Sequence, residues 1–180
     1  CEGDYRARLP RMADGLRALD ADLICLQEVF ACAAPAADTA AWLAEALGMQ
    51  VVATPARHGP RAFEGPPVPS TSGLAILART VLPAAERIPL PSDPRDGERI
   101  VQTVRLETAV GPLCVANLHL THLRDGAALR QRQLEHLLAR LEDATGAVPL
   151  LLAGDFNATP DAPELAPLRV HPAADWGLDD

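Results

Sequence analysis

The chain has 180 residues, enough for one domain to bury a sizeable core without disulfide or metal staples. Its formal net charge of −8, with 24 acidic against 16 basic residues, argues against a broad electrostatic footprint on nucleic acid, which shows as clustered basic side chains. Cys1, Cys25, Cys32 and Cys114 lack metal-type spacing and read as reduced, structural thiols. No apolar run approaches the ~20 residues of a membrane span and no charged-then-apolar leader is present. The chain therefore reads as soluble, with a cytoplasmic setting favoured and secretion requiring that a leader has been removed.

Between residues 4 and 19, Leu9, Met12, Leu16 and Leu19 recur at three and four, the stripe of an amphipathic helix. Residues 22–26 form a short apolar run, read as a buried strand that delivers Gln27 and Glu28 at its end. Residues 31–37 predict a loop, and Thr39 is placed to cap a helix through Trp42, Leu43, Ala46 and Leu47 that stops at Gly48. Val51, Val52 and Ala53 make the next strand. Residues 55–71 hold five prolines, two glycines, Arg57, His58 and Arg61, and predict a long loop that is either mobile or functional, with a substrate-facing role as one reading. Strands are expected at 72–79, 81–90, 100–107 and 113–120, with turns at 91–97 and at Gly111-Pro112. From Asp125, the residues Leu129, Arg130, Gln133, Leu134, Leu137, Leu138 and Leu141 trace the buried stripe of a helix ending near Gly146. Residues 149–153 then read as a buried strand that exits at Gly154-Asp155-Phe156-Asn157. Pro160 and Pro163 bracket a turn or short helix, and Trp176 closes the sequence pattern.

Three strand exits carry polar groups: Glu28, Asn117 with His119, and Asp155 with Asn157. If they share one edge of packed sheets, they place two carboxylates, two carboxamides and an imidazole in one cleft. Apart from the imidazole, the donors are hard oxygens, which suit Mg²⁺ or Mn²⁺ better than Zn²⁺. Each residue also has an ordinary reading. Glu28 alone would be a solvated loop carboxylate, His119 a backbone-bonded histidine, Asn117 a turn residue, and Asp155 with Asn157 an Asx turn. The combination is what points to a site.

Leu26-Gln27-Glu28-Val29, residues 72–77 (SGLAIL), Asn117-Leu118-His119 and Gly154-Asp155-Phe156-Asn157, in that order, resemble the endonuclease/exonuclease/phosphatase superfamily, which includes deoxyribonuclease I, apurinic endonucleases, neutral sphingomyelinases and inositol-polyphosphate phosphatases. The resemblance covers residues 4–176. It implies an α/β fold, a deoxyribonuclease I-like four-layer sandwich of two packed mixed sheets flanked by helices, and Mg²⁺-dependent hydrolysis of a phosphate ester. Carried over by motif, Glu28 would bind the metal and Asp155 would orient or deprotonate the attacking water. Asn157 would hold the phosphate or that water, His119 would donate to the phosphate, and Asn117 would support the strand end. The family pattern also has an Asn on a strand before the first helix and a late Ser-Asp-His block, and neither stands in this sequence. The expectation is a single domain over residues 1–180 that lacks its first strand and its C-terminal strands, with little activity if these residues are all there is.

Phosphodiesterase or phosphatase action on a small or lipid-linked phosphate is the favoured function, because acidic balance and 3% aromatic content suit a stacking nucleic-acid groove poorly. A DNA or RNA nuclease is the close alternative, with Arg57, His58, Arg61 and Arg124 as the local basic residues for substrate. A non-catalytic binding module on the same fold is the alternative of a different class. Oligomeric state is left open.

Overall fold

The computed structural model describes residues 4–34, 37–145 and 148–169. Helix α1 (Tyr5–Ala18) is capped by Asp4, whose carboxylate accepts from Ala7 N. Strand β1 (Leu23–Cys32) leads to α2 (Thr39–Leu47), β2 (Gln50–Ala62) and β3 (Pro67–Ala78). The antiparallel order β1-β3-β2 makes the first sheet. Then β4 (Glu86–Pro89), β5 (Ile100–Thr108), β6 (Gly111–His119), α3 (Ala127–Thr145) and β7 (Leu150–Asp155) follow, with a second sheet in the order β4-β5-β6-β7. That sheet is mixed, because β6 and β7 run parallel and are joined through α3. A 3₁₀ turn (Pro163–Leu165) and α4 (Ala166–Arg169) complete the described chain.

The two sheets pack face to face. Ile76, Val104, Leu106 and Val115 form the layer between them, with Leu23, Cys25 and Val52 against it. Ala13 of α1 and Leu43 of α2 cover the outer face of the first sheet through Ile24, Ala75 and Leu77. Leu134, Leu137 and Leu141 of α3 cover the second through Val101, Ala116 and Leu118. This is the expected four-layer α/β sandwich. Cys25, Cys32 and Cys114 are free thiols, and burial pushes Cys25 up to about 11, so it packs as a small apolar group. Cys1 and Trp176 lie outside the described residues.

Several local expectations are corrected. Residues 55–71 are no loop: β2 and β3 stay paired from Gln50↔Ala78 to Ala62↔Pro67, leaving only four residues at the tip. The prolines are tolerated because β2 is an edge strand, while Pro67 and Pro69 lie past the last β1 partner, Cys32↔Ser70, in a ribbon only two strands wide. Residues 31 and 32, expected in a loop, belong to β1. The cap of α2 is Asp38, which accepts from Ala41 N, with Thr39 as the first helical residue. Of the strand expected at 81–90 only Glu86–Pro89 pairs. Strand β7 is an edge among the described residues, with Leu151 43% exposed, where a buried strand was expected. Among the described residues no helix is long and apolar enough to cross a membrane.

Candidate active site

The first sheet presents Glu28 through a local distortion. Strand β1 bulges between Gln27 and Val29, and β2 bulges between Pro55 and Arg57, both opposite Gly73 of β3. Glu28 is the extra residue of the first bulge and takes φ 55°, which turns its carboxylate out of the ladder. Gly73 is required there, since a Cβ would lie 2.2 Å from Thr54 O. The Glu28 side chain is 65% exposed and accepts from Arg57 Nη2 at 3.2 Å.

The second sheet brings His119 to the same place. A small recess is lined by Glu28, Arg57, Gly73, Glu98, Arg99 and His119, among others. His119, at the end of β6, is buried, and its Nε2 stands 3.7 Å from Asp155 Oδ2 at the end of β7. Burial lowers the His119 pKa, and the positive charge of Arg99 lowers it further; Asp155 and Glu28 act in the opposite sense.

Asn117 lies behind the recess and does not line it. It is completely buried, and its Nδ2 donates to Leu26 O and to Ala75 O, each at 3.0 Å. Its Oδ1 accepts from Gln27 Nε2 at 2.8 Å. One carboxamide of the second sheet thus fastens two strands of the first, next to the bulge that presents Glu28.

Asp155 and Asn157 form the Asx turn weighed from the sequence: Asp155 Oδ1 accepts from Asn157 N at 2.8 Å. Asn157 takes φ 50°, and its Nδ2 donates to Leu120 O at 3.0 Å. One N–H of that carboxamide holds the turn to the strand exit. Gly154, with φ +139°, packs so closely on β6 that a Cβ would lie 2.0 Å from Leu118 O.

The basic residues divide. Arg57 lines the recess, whereas His58 lines a separate open groove of about 670 Å³ with Pro60, Pro69 and Thr71. Arg61 donates to Ser70 Oγ and Ser72 Oγ at 3.1 and 3.2 Å. Arg124 is an exposed loop residue and lines neither feature.

Two charged residues were missed by the sequence reading. Arg99 lines the recess, and Asp96 grips it with two hydrogen bonds; the two side chains are only 2% and 0% exposed. An acid and an arginine three apart before a strand was the available signal, but loop charges are usually solvated. The loops carrying these groups are anchored by buried polar residues on α3. Gln133 donates to Pro91 O and accepts from Thr121 N, while Arg130 donates to Thr121 O, Leu123 O and the Glu164 carboxylate.

Among the described residues no group of three His, Cys, Asp or Glu side chains could enclose a metal. A caged site of the zinc type therefore does not fit. Mg²⁺ needs less, because it keeps several waters and takes one or two carboxylates plus substrate phosphate. The exposed Glu28 carboxylate, which accepts from the partly exposed Arg57, suits that mode.

The model of the Endonuclease/Exonuclease/phosphatase family matches residues 2–178. The chain belongs to this family. Among solved structures, the catalytic domain of human Nocturnin with bound sulfate superposes with TM-score 0.69 at 24% identity, covering 94% of this chain and 64% of that one. ANGEL2, a 2',3'-cyclic phosphatase in complex with adenosine-2',3'-vanadate, gives 0.64 at 24%, covering 89% and 46%. A mannosyl-6-phosphatase of Bacteroides thetaiotaomicron gives 0.67 at 20%, covering 91% and 61%. The chain thus spans between 46% and 64% of the length of these neighbours, and at such identities the likeness establishes the fold. No match was found among curated proteins.

Proposed function

We propose that the chain is a metal-dependent phosphoesterase that hydrolyses a phosphodiester or phosphomonoester, with small-molecule or lipid phosphates favoured. The observation that supports this most is the meeting of Glu28 and His119, from opposite sheets, in one recess with Asp155 beside the imidazole. The named chemistries of two neighbours, a cyclic phosphatase and a sugar phosphatase, are both phosphate-ester cleavages.

Glu28 would hold Mg²⁺, or Mn²⁺ in its place, and the ion would supply charge neutralisation at the non-bridging oxygens. His119, held neutral by burial, donates one N–H to such an oxygen, and Arg57 adds a cation at the recess wall. Asp155 orients a water through Oδ2, since its Oδ1 is occupied by the Asn157 amide. The water oxygen forms the new bond to phosphorus as Asp155 takes its proton, and the phosphorus–ester oxygen bond breaks. The departing oxygen takes its proton from solvent. Asn157 and Asn117 act by position, the first on the Asp155 turn and the second on β1 just before the bulge that presents Glu28.

Release of p-nitrophenol from bis(p-nitrophenyl) phosphate and p-nitrophenyl phosphate with Mg²⁺ or Mn²⁺ tests the reading. Turnover that Glu28→Ala and His119→Ala abolish is expected. A folded chain without turnover on either ester or on plasmid DNA, sphingomyelin or phosphoinositides would overturn it and favour a binding module. Cleavage of plasmid DNA alone would move the assignment to nuclease.

A further inference from the structure

Arg99 is almost completely buried, yet it belongs to the wall of the recess that holds Glu28 and His119. A buried guanidinium needs a counter-charge, and Asp96 supplies one in a side-on, two-bond grip: Nε donates to Oδ2 at 2.9 Å and Nη2 donates to Oδ1. Burial alone would raise the Asp96 pKa; hydrogen bonds from Arg99 and Thr121 outweigh it and hold the carboxyl down to about 2, so the counter-charge stays ionised. His122 closes the outer side, with Nδ1 2.6 Å from Asp96 Oδ1 and 2.7 Å from Arg99 Nη2.

The grip uses one edge of the guanidinium. Nε and Nη2 are taken, whereas no hydrogen bond to Nη1 is found among the described residues. Nor is Nη1 a sealed, unsatisfied donor, because Gln102 Oε1 is the buried side-chain atom without a partner. Nη1 is thus an unspent donor pair on a cation locked from behind. The supports are themselves fixed: Gln133 ties both the 90–99 loop, at Pro91 O, and the 120–126 loop, at Thr121 N, to α3.

We propose that Asp96 and His122 are positioning residues that lock Arg99 with Nη1 presented to the recess, where it takes an anionic oxygen of the phosphate group. The inference rests on the phosphoesterase reading for its meaning but not for its test. A flexible arginine loses rotamer freedom on every docking event, whereas a pre-locked one does not, so the lock acts on substrate affinity more than on the chemical step.

The experiment uses the full chain labelled with ¹⁵N, with orthophosphate as the probe and the arginine Nε–H resonances as the readout. The Arg99 signal is identified by its loss in Arg99→Lys. It is expected to shift saturably with orthophosphate, and Asp96→Asn is expected to weaken that binding about 10-fold, in line with a charge-assisted bond lost. Because Asp96→Asn removes a buried counter-charge and can fail to fold, His122→Leu, on the exposed side of the pair, is the second variant and is expected to weaken binding about 3-fold. In parallel, KM for bis(p-nitrophenyl) phosphate rises by similar factors while kcat changes less. An Arg99 signal that ignores orthophosphate, or native orthophosphate affinity in a folded His122→Leu and Asp96→Asn, would overturn the proposal. Absence of turnover in the native chain would remove the phosphoesterase reading, while the resonance shift would still decide the lock.

Discussion

Replacing Asn117 with alanine tests whether the two sheets are fastened where the site requires it. The native carboxamide makes three bonds, to Leu26 O, Ala75 O and from Gln27 Nε2, inside a layer that solvent does not reach. Each such bond contributes about 1 kcal/mol net, and a carbonyl left buried without a donor costs about 1–3 kcal/mol. Gln27 is only half-buried and can turn to water, so the two carbonyls dominate the loss. The sum is about 3–4 kcal/mol, a fall in Tm of roughly 6–16 °C for a chain of this size. Urea unfolding followed by circular dichroism measures it, with turnover read on the fraction that remains folded. Turnover should fall too, because Leu26 is two residues before Glu28 and the bulge that presents Glu28 would no longer be pinned. A loss below about 1 kcal/mol with native turnover would refute the fastening argument.

Gly154→Ala should destabilise by about 3 kcal/mol or more, since a methyl would overlap Leu118 O on a backbone held at φ +139°; denaturant unfolding checks it, and a loss under about 1 kcal/mol contradicts the close approach. The depressed His119 pKa sets the sign of a pH effect. The unfolded chain binds this proton near pH 6.5, before the folded chain does, so the contribution is fully present above that pH and is lost as pH falls toward the lower folded value. Urea midpoints between about pH 5 and 7.5 should therefore fall on acidification, and His119→Gln should flatten that part of the slope; an unchanged slope would contradict it.

The layers of the fold were legible because their signals are periodic. The α3 stripe is buried as its spacing requires, as the contacts of Leu134 and Leu137 show, while β5 is covered on both faces, Val101 toward α3 and Val104 toward the first sheet. The β2–β3 ribbon was not legible, because prolines that forbid a central strand are harmless on an edge, and only the pairing tells which case applies. Strand β7 was misread in the opposite direction: its leucines suggest burial on both faces, but β6 is its sole strand partner among the described residues.

For the site, the strand-exit rule holds for His119 and Asp155, the last residues of β6 and β7, but not for Glu28, which lies inside β1 on a bulge with the strand continuing to Cys32. It placed Asn117 in the right neighbourhood but not in its actual bonds, which run to backbone carbonyls of another sheet and leave no trace in local sequence. Asp96 and Arg99 were invisible for a related reason. Their loop is anchored to α3 by Gln133, 42 residues from the carbonyl it holds at Pro91.

The most direct test of the central claim is a Mg²⁺ titration of bis(p-nitrophenyl) phosphate turnover by the native chain and by Glu28→Gln. Glu28 is an exposed residue on a bulge, so the variant should keep its Tm within about 2 °C. Saturable activation by Mg²⁺, reversed by EDTA and reduced about 100-fold or more in Glu28→Gln, is the predicted result. Turnover that persists in EDTA, or a variant as active as the native chain, would contradict it.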